Sequence, residues 1–576
     1  MTTYLMLLLL LALSVASLIK PSFATFLSIN CGGSNSFVDA NSIQWTGDAD
    51  YVHNGVSQVV DAYYTAGPVM GTLRVFPTLK KNCYTINNLN NGDRVLVRAS
   101  FFYGNYDGKH ISPTFDLMLD GNMWGKVNLS IYSEDTILYR EYVYDVNGNS
   151  TSLCLAQTLP DQFPLISALE LRTLDSNMYR HAGSNHVLSL AARFAMGSLV
   201  DLRYPVDPYD RLWFSWGGAG AQEVIVNNTA TSIVLTTAED HPPNAAVQTA
   251  IEATTTGWSP ALYTNLRGEY SVYINLYFSE VIPLNTTQKR SIQLYMDNKP
   301  LLNPIIPPFG SVLEVYLANI TASPNNTFTL VATSDSTLPT LLNAYEVFKV
   351  TDYLPYRTNS KDVIGLAALQ KAFDVLIKWT GDPCLPSPYW WEWIECTNTS
   401  IMPRVTALKL GGFGLSGSLP DFSTMDALQT IELQNNSFDG PIPEFFGSFP
   451  NLKLLNLANN RFNGSIPKSI SKKKKLKLVV KGNCLDGIVC ALAVETPPPM
   501  MMTPPPMMMT PPQPNAPSLP PTSGTAPPPD LSNTPPPPNR ALTPSPNGSK
   551  KIVEELPIIL EATIQIFLLS LLFTYV

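Results

Sequence analysis

The sequence predicts a mainly β protein, in which two tandem β-sandwiches precede a short repeat solenoid and a disordered, proline-rich stalk. Three observations support this fold class. Apolar residues alternate with other residues in strand-like segments through the first 350 positions. The pattern of the first half recurs about 177 residues later. A shorter period of 23 to 24 residues begins after position 404, which is typical of a solenoid.

The two sandwiches are predicted from an internal duplication. Every second residue is apolar in Arg94–Phe102, and the same alternation runs through Tyr270–Glu280. The correspondence continues with Phe115–Asp120 and Ile292–Asp297 at the same offset. We therefore expect one sandwich over 25–195 and a second over 196–350, each within the usual size of a domain.

Charge and motif content exclude several function classes. The formal net charge is −8 and the chain has no basic arm, which argues against nucleic-acid binding. The run Lys472–Lys475 is the only basic cluster, and we interpret it as a solvated face rather than as a site for a polyanion. The five histidines lack metal-ligand spacing, and no Ser or Cys nucleophile motif accompanies them. We therefore expect no enzyme activity, no metal and no cofactor.

Both ends of the chain predict export and anchoring. Residues 1–24 contain an unbroken leucine run and small residues at their end, which is typical of a secretory signal peptide. Proline dominates residues 493–548, which predicts an extended stalk. Residues 549–576 are a polar spacer and an apolar tail, which predicts a GPI signal with attachment at Asn547. The alternative is a single-pass transmembrane anchor. Either anchor predicts the extracellular face of the plasma membrane.

Export into an oxidising compartment favours disulfides and N-glycosylation. A short solenoid buries little core and needs caps, so we expect Cys384–Cys396 at its start and Cys484–Cys490 at its end. Of the remaining Cys31, Cys83 and Cys154, we favour the pair Cys83–Cys154. The sequons offer glycosylation sites at Asn128, Asn149, Asn227, Asn285, Asn319, Asn325, Asn398, Asn435 and Asn463.

The solenoid resembles plant leucine-rich repeats. Aligned units start at Val405, Leu428 and Leu452, and each ends in a glycine, an apolar residue and a proline. We assign 405–492 to the repeats with their C-cap, and 351–404 to a linker, an amphipathic capping helix and the N-cap. The repeats are expected either to contact a peptide or co-receptor or to serve as a spacer or docking element. The concave-face residues that could make such a contact are Lys409, Gln429, Glu432, Gln434, Lys453 and Asn456.

Motifs in the first 350 residues resemble the malectin-like region of plant leucine-rich-repeat receptor kinases, including the symbiosis receptor kinase. They are NCGG from Asn30, RVFPTLKKNCY from Arg74, FFYGNYDGKHISPTFDL from Phe101 and RYPVDPYDRLW from Arg203. The segment Gly381–Cys384 is similar to the GDPC motif of that family. The resemblance implies two malectin folds, and release of the malectin-like region near GDPC, with Tyr356–Asp362 as the exposed approach.

A sugar-binding site is expected where aromatic faces and hydroxyl-binding carboxylates or amides lie together. The best candidates for such a site in the sequence are Tyr103, Asn105, Tyr106 and Asp107, together with Trp124. The alternative is that the YGNYD segment is a structural loop, with its tyrosines packed over the sandwich end. Asp207, Asp210 and Arg211 are expected to form salt bridges inside an ordered loop between the sandwiches.

These observations favour a cell-surface receptor-like protein or co-receptor that recognises a cell-wall carbohydrate or a peptide. The kinase of the similar receptors is not part of this sequence, so a signal is expected to pass through a membrane receptor-kinase partner. The alternative is a structural, cell-wall-associated adhesion protein. A glycan-processing enzyme is the least favoured class, because no residues can be named for it.

Overall fold

The computed structural model describes residues 25–64, 66–217, 220–352, 356–398 and 401–486. The predicted signal peptide, stalk and anchor, with Asn547, lie outside the described residues. Within those ranges, no helix combines the length and the apolar character that crossing a membrane requires.

The first half of the first 350 residues is built from short strands, and successive side chains on each strand point to opposite faces of a sheet. Its strands are β1 Phe26–Asn30, β2 Phe37–Val38, β3 Gln44–Gly47, β4 Val56–Val59, β5 Thr72–Val75, β6 Lys81–Asn87, β7 Arg94–Phe101, β8 Thr114–Leu119, β9 Asn122–Asn128, β10 Leu138–Asp145, β11 Ser150–Gln157, β12 Leu165–Ile166 and β13 Ala168–Thr173. Its 3₁₀ turns are Ala62–Tyr64, Val69–Gly71 and Arg180–Ala182.

The second half repeats this plan. Its elements are β14 His186–Met196, β15 Phe214–Trp216, β16 Glu223–Asn227, α1 Asn244–Val247, β17 Thr249–Ala253, β18 Tyr270–Phe278, β19 Ile292–Met296, β20 Lys299–Pro300, β21 Leu313–Ala322, β22 Phe328–Ala332, β23 Leu341–Leu342 and β24 Ala344–Asp352.

One continuous sheet runs through both sandwiches in the order β2-β3-β1-β13-β7-β10-β14-β24-β18-β21. The halves join where β10 pairs with β14, with Tyr142 opposite Ser189. The run β14-β24-β18-β21 repeats the run β1-β13-β7-β10, as the duplication predicts. In this order β14 takes the place of β1, and therefore belongs to the second half, although the predicted boundary lies at residue 195.

Smaller sheets close each sandwich over its own core. In the first half they follow the orders β6-β11-β8-β9 and β12-β5-β4, and in the second β16-β17-β23 and β20-β19-β22. The inward alternation on β7 and β8 brings the rings of Phe101 and Phe115 to a centroid distance of 5.6 Å. On β18 and β19 it buries Ile274, Phe278 and Leu294. The alternating pattern therefore identifies the core of both halves.

The leucine-rich repeats follow a capping helix. Their elements are α2 Ser360–Ala372, a 3₁₀ turn at Asp374–Leu376, β25 Ile394–Cys396, β26 Val405–Lys409, β27 Ser416–Gly417, β28 Thr430–Glu432, β29 Ser437–Pro441, a 3₁₀ turn at Glu444–Gly447, β30 Leu454–Asn456, β31 Arg461–Gly464, α3 Lys468–Ser471, β32 Lys477–Val479 and β33 Cys484–Leu485.

A ladder of asparagine amides holds the repeats in register. Strands β26, β28, β30 and β32 form a parallel sheet. The Nδ2 of Asn436 donates to the Leu410 carbonyl at 2.8 Å, and the Nδ2 of Asn460 donates to the Leu433 carbonyl at 2.9 Å. Asn483 Nδ2 repeats the contact in the last turn. Each amide satisfies backbone groups that the tight turn leaves without partners in the sheet.

Among the described residues, some cysteines form disulfides and one is a free thiol. Disulfides join Cys83 to Cys154 and Cys384 to Cys396, and Cys31 is a buried free thiol. Cys484 is also disulfide-bonded, whereas Cys490, its predicted partner, lies outside the described residues.

Candidate ligand-binding site

The predicted residues Tyr103 and Asn105 are structural parts of the loop between β7 and β8. Their exposed fractions are 2% and 4%. The Tyr103 hydroxyl donates to Asp107 Oδ1 at 2.6 Å and accepts from the Ile111 amide at 3.2 Å. Asn105 has a positive φ of 43°, and its Oδ1 accepts from the His110 amide at 3.0 Å. These two side chains therefore hold the loop in shape.

Tyr106 and Asp107 reach the surface of the same loop. The Tyr106 ring packs edge-on against Tyr103 at a centroid distance of 5.6 Å and is half-buried. Burial, followed by the nearby Asp107 charge, raises the pKa of Tyr106 to about 12. Asp107 Oδ2 lies 3.4 Å from the exposed Lys109 Nζ. A ligand can therefore reach these two side chains more easily than the buried pair.

Trp124 contacts a different part of the sandwich. It lies on β9, and its ring packs against Tyr142 and Tyr144 of β10 at centroid distances of 4.5 and 5.4 Å. These contacts fix its half-buried ring between the two sheets. The structure therefore gives Trp124 a packing position on β9, away from the β7–β8 loop in the chain.

Two further segments converge on the β7–β8 loop. The Asp61 amide donates to the Gly104 carbonyl at 2.9 Å, which places the turn at 61–64 beside the loop. The Gly104 amide donates to the Glu134 carbonyl at 3.0 Å, which brings in a second neighbour. We call residues 61–64, 103–111 and 134 the loop cluster. Sequence reasoning missed two of its three parts, because they are far from YGNYD in the chain and carry no motif.

The loop cluster presents aromatic rings beside carboxylates. Tyr63 is 86% exposed, and its ring lies 5.0 Å from that of Tyr64. The Tyr64 hydroxyl bonds to Glu134, which raises the pKa of Tyr64 to about 12. His110 Nδ1 lies 3.1 Å from the same Glu134 carboxylate. Exposed rings suit the C–H faces of sugars, and the carboxylates can accept hydroxyl hydrogen bonds.

The RYPVDPYDRLW segment forms a buried ionic network rather than a binding surface. Asp210 accepts from Arg172 at 2.7 Å and from Arg203 at 2.9 Å, and it lies 3.5 Å from Arg98. Burial alone would raise the pKa of Asp210, but these guanidinium groups hold it well below its ordinary value. Since Arg98 and Arg172 belong to the first half, the network ties the segment to that half.

Asp207 and Arg211 occupy the other end of the same segment. Arg211 Nε donates to Asp207 Oδ2 at 2.7 Å, and Trp213 Nε1 donates to the same oxygen at 2.7 Å. Arg211 also donates to the Asp240 carbonyl at 2.6 Å. A salt bridge inside the segment is therefore present, as the sequence indicates, and the hydrogen bond from Arg211 to Asp240 connects the segment to the second sandwich.

The GDPC motif packs directly on the first sandwich. A Cβ added at Gly381 would lie 2.5 Å from the Sγ of Cys83 and 2.9 Å from that of Cys154. Lys81 Nζ donates to the carbonyls of Asp382 and Leu385 at 2.6 and 2.8 Å. The start of the repeats is therefore seated against the Cys83–Cys154 disulfide.

Three more hydrogen bonds extend this contact. The Tyr389 hydroxyl donates to Asp116 Oδ2 at 2.8 Å, and the Lys80 amide donates to Glu392 Oε1 at 2.9 Å. Thr380 Oγ1 donates to the Cys83 carbonyl at 2.8 Å. The aromatic cluster before Cys396 thus packs both on the repeats and on the first sandwich.

Asp382 and Asp362 fasten the approach to the motif. Asp382 accepts from the Thr358 amide at 2.8 Å and from the Leu385 amide at 2.9 Å. Asp362 accepts from the Val405 amide at 2.8 Å. Thr358 and Asp362 are buried. The stretch Tyr356–Asp362, expected to be exposed, is therefore held at these two positions.

A cavity of about 360 Å³ lies between α2, the GDPC segment and the first sandwich. Its lining is largely apolar and includes Val363, Ile377 and Trp379. The Gln370 amide at its edge already donates to the carbonyls of Leu376 and Trp379. It therefore offers a ligand fewer free polar groups than the loop cluster does.

The concave face of the repeats is small and partly self-paired. Lys409 forms an ion pair with Glu395, and Lys453 Nζ donates to Gln429 Oε1 at 2.8 Å. Among the described residues, no group of three His, Cys, Asp or Glu side chains could hold a metal ion. The loop cluster is therefore the better candidate site.

Comparison with known proteins identifies the family. The model of the malectin-like domain matches residues 29–350, which is more than half of the chain. The chain belongs to the malectin-like family. Leucine-rich-repeat matches follow at 427–449 and 451–472. These are ligand-binding folds rather than catalytic ones.

Several malectin-like relatives come from Arabidopsis thaliana. The uncharacterized protein At1g24485 is 34% identical over 342 residues, which cover 58% of this chain and 66% of that protein. The probable LRR receptor-like serine/threonine-protein kinase At5g59680 is 32% identical over 426 residues, which cover 71% of this chain and 46% of that protein. The matched part of the chain thus spans about half to two thirds of the length of these relatives.

A solved malectin-like structure shows the same fold. The ANXUR1 extracellular domain from Arabidopsis thaliana aligns with a TM-score of 0.50 at 17% identity, covering 57% of this chain and 97% of that one.

Proposed function

We propose that the chain is an extracellular receptor-like binding protein whose loop cluster recognises a cell-wall carbohydrate. The observation that carries the proposal is the 86% exposed Tyr63 ring on a turn that is hydrogen-bonded to the loop of Tyr106. The carboxylates of Asp107 and Glu134 belong to the same loop cluster. The buried Tyr103 bonds to Asp107 and packs against Tyr106, so these two side chains lose little entropy on binding.

Binding to a panel of wall polysaccharides and peptides tests this proposal. Tyr63→Ala and Tyr106→Ala each remove one ring, which contributes about 0.5–1.5 kcal/mol, or roughly twofold to tenfold in affinity. Trp258→Ala is the matched control, because it removes an exposed ring from the second sandwich. Weaker carbohydrate binding in the tyrosine variants alone supports the site. Equal affinity in all three, or binding to peptides only, would contradict it.

We also propose that the protein signals through a membrane receptor-kinase partner. We further propose that its C-terminal tail anchors it, with Asn547 as the attachment residue. The spacing of small, polar and apolar residues at the end of the sequence supports this anchor. A phosphatidylinositol-specific phospholipase C should release the protein from membranes. Retention after treatment would favour a spanning anchor instead.

The disulfides, the glycosylated asparagines and the domain limits also remain proposals for the mature protein. Mass spectrometry of the secreted chain tests the disulfides and the glycosylated asparagines, and the fragments from limited proteolysis test the domain limits. Mass spectrometry should find the pairs Cys83–Cys154, Cys384–Cys396 and Cys484–Cys490, and sugar on the exposed sequon asparagines. An exposed sequon such as Asn149 that carried no sugar would remove that site from the set.

A further inference from the structure

The C-terminal end of the repeats carries dense positive charge that the proposed function does not use. From Lys453 to Lys481 the chain has eight lysines and one arginine, and neither aspartate nor glutamate. The whole chain contains 45 acidic and 37 basic residues. This segment therefore carries a net positive charge, whereas the net charge of the whole chain is negative.

The fold gathers these lysines on the last turn of the solenoid. Lys468 begins α3, Lys472–Lys475 follow it, and Lys477 begins β32. The Lys477 amide donates to the Lys453 carbonyl at 2.8 Å, so the two residues lie on neighbouring strands. Positive charge thus extends from the convex side to the concave side of the last turn.

Several lysine side chains of this turn are exposed and form no ion pair with the described residues. We define the lysine face as Lys472, Lys474, Lys475, Lys477 and Lys481, all of them exposed. No described carboxylate forms an ion pair with any of the five. Like charges held together repel each other, and an anionic partner removes that cost.

We propose that the lysine face binds a linear polyanionic polysaccharide that carries carboxylate groups. Lysine ammonium groups act as point charges and do not require the planar, bidentate geometry of arginine. They therefore suit a chain of carboxylates with variable spacing. The inference goes beyond the proposed function, because the loop cluster on the first sandwich takes no part in it.

The surroundings of the lysine face disfavour other partners. The large hydrophobic side chains that are exposed include none between residues 403 and 486. A surface that inserts into a membrane needs such side chains, and the anionic leaflet that attracts basic segments is the cytoplasmic one. Protein interfaces are enriched in aromatic residues and arginine and depleted in lysine. A soluble polyanion matches the composition of this face better.

Binding of the full secreted chain to polygalacturonate tests the proposal. The patch variant carries Lys472→Gln, Lys474→Gln, Lys475→Gln and Lys477→Gln. The control variant carries four exposed substitutions elsewhere, Lys80→Gln, Lys126→Gln, Lys299→Gln and Lys371→Gln. Both lose the same charge, and unchanged melting temperatures establish that both fold. We expect the patch variant to bind at least tenfold more weakly, while the control binds like the wild type.

Raised salt should also weaken wild-type binding, because ions screen exposed charges. Tyr63→Ala should leave binding to polygalacturonate unchanged, which separates this proposal from the loop cluster. Equal losses in the two lysine variants would overturn the inference, since net charge alone would then explain binding. Absence of wild-type binding would overturn it as well. So would binding to phosphatidylserine vesicles without binding to the polymer.

Discussion

Asp240 and Glu314 place two carboxyl groups together inside the second sandwich. The Asp240 amide donates to Glu314 Oε2 at 3.0 Å, and Asp240 Oδ1 accepts from the Tyr179 amide. Burial, and then the charge of Glu314, raises the pKa of Asp240 well above its ordinary value. Burial raises the pKa of Glu314 too. The folded state therefore binds protons here more tightly than the unfolded chain does.

This pair predicts a pH dependence of stability with a definite sign. A carboxyl group whose pKa is raised by folding stabilises the folded state fully at a pH below its pKa in the unfolded chain, which is about 4. This stabilisation is lost as the pH rises through the pKa of the folded state. The melting temperature of the wild type, relative to Asp240→Asn, should therefore fall as the pH rises from about 4 through the neutral range. Thermal unfolding across that range measures it.

Asp135→Asn is the control for this prediction, because Asp135 is exposed. Its melting temperature should follow that of the wild type at each pH. A difference in melting temperature between the wild type and Asp240→Asn that stays constant with pH would show that the pair does not titrate as described.

Lys81 and Lys80 provide a second test at the scale of single residues. Lys81 is buried and donates to two carbonyls of the GDPC segment, and burial lowers its pKa to about 8. Lys81→Met leaves those carbonyls without partners, which should cost about 1–3 kcal/mol of unfolding free energy. The exposed neighbour is the control, and Lys80→Met should change stability by less than about 0.5 kcal/mol. Equal effects in denaturant titrations would show that the buried ammonium does not stabilise the docking.

At the scale of elements, Gly381 joins the repeats to the first sandwich. Its φ is +73°, and its Cα faces the disulfide that links β6 to β11. A side chain at this position would be strained by the backbone and would also collide with the two sulfur atoms. Glycine is therefore required here for two separate reasons.

Gly381→Ala and Gly412→Ala separate these reasons. Gly412 has a similar φ of +75°, but a Cβ there would meet nothing within 4 Å. We expect Gly412→Ala to lose about 1 kcal/mol, the cost of the left-handed backbone alone. Gly381→Ala should lose clearly more and should increase proteolysis around residues 356–362. Equal losses in urea titrations would mean that the GDPC segment is not packed on the disulfide.

The elements differ in how far the sequence predicts them. The alternation on β7 and β18 and the asparagine positions of the repeats predict strands, cores and register, because these patterns are local. Contacts between distant segments leave no such local pattern. Gly381 meets Cys83, and Asp61 meets Gly104, although nothing in the sequence around any of these residues points to its partner. The docking of the repeats and most of the loop cluster were therefore missed.

For the whole molecule, the contacts describe two sandwiches that share one sheet, with the repeats fastened to the first. The β10–β14 pairing continues the sheet, and the network around Asp210 ties the connecting segment to the first half. Lys81, Tyr389 and Gly381 hold the repeats against that same half. The loop cluster therefore belongs to the sandwich that is held from both sides, which favours a rigid binding surface.

Hydrogen–deuterium exchange of the full chain tests the central proposal most directly. The polysaccharide that binds best in the panel is added, and amide exchange is compared with that of the free protein. The loop cluster predicts slower exchange within 61–64 and 103–111, because a ligand seated there shields these turns and stabilises them. Protection confined to β26, β28 and β30 of the repeats, with the loop cluster unchanged, would contradict the proposed site.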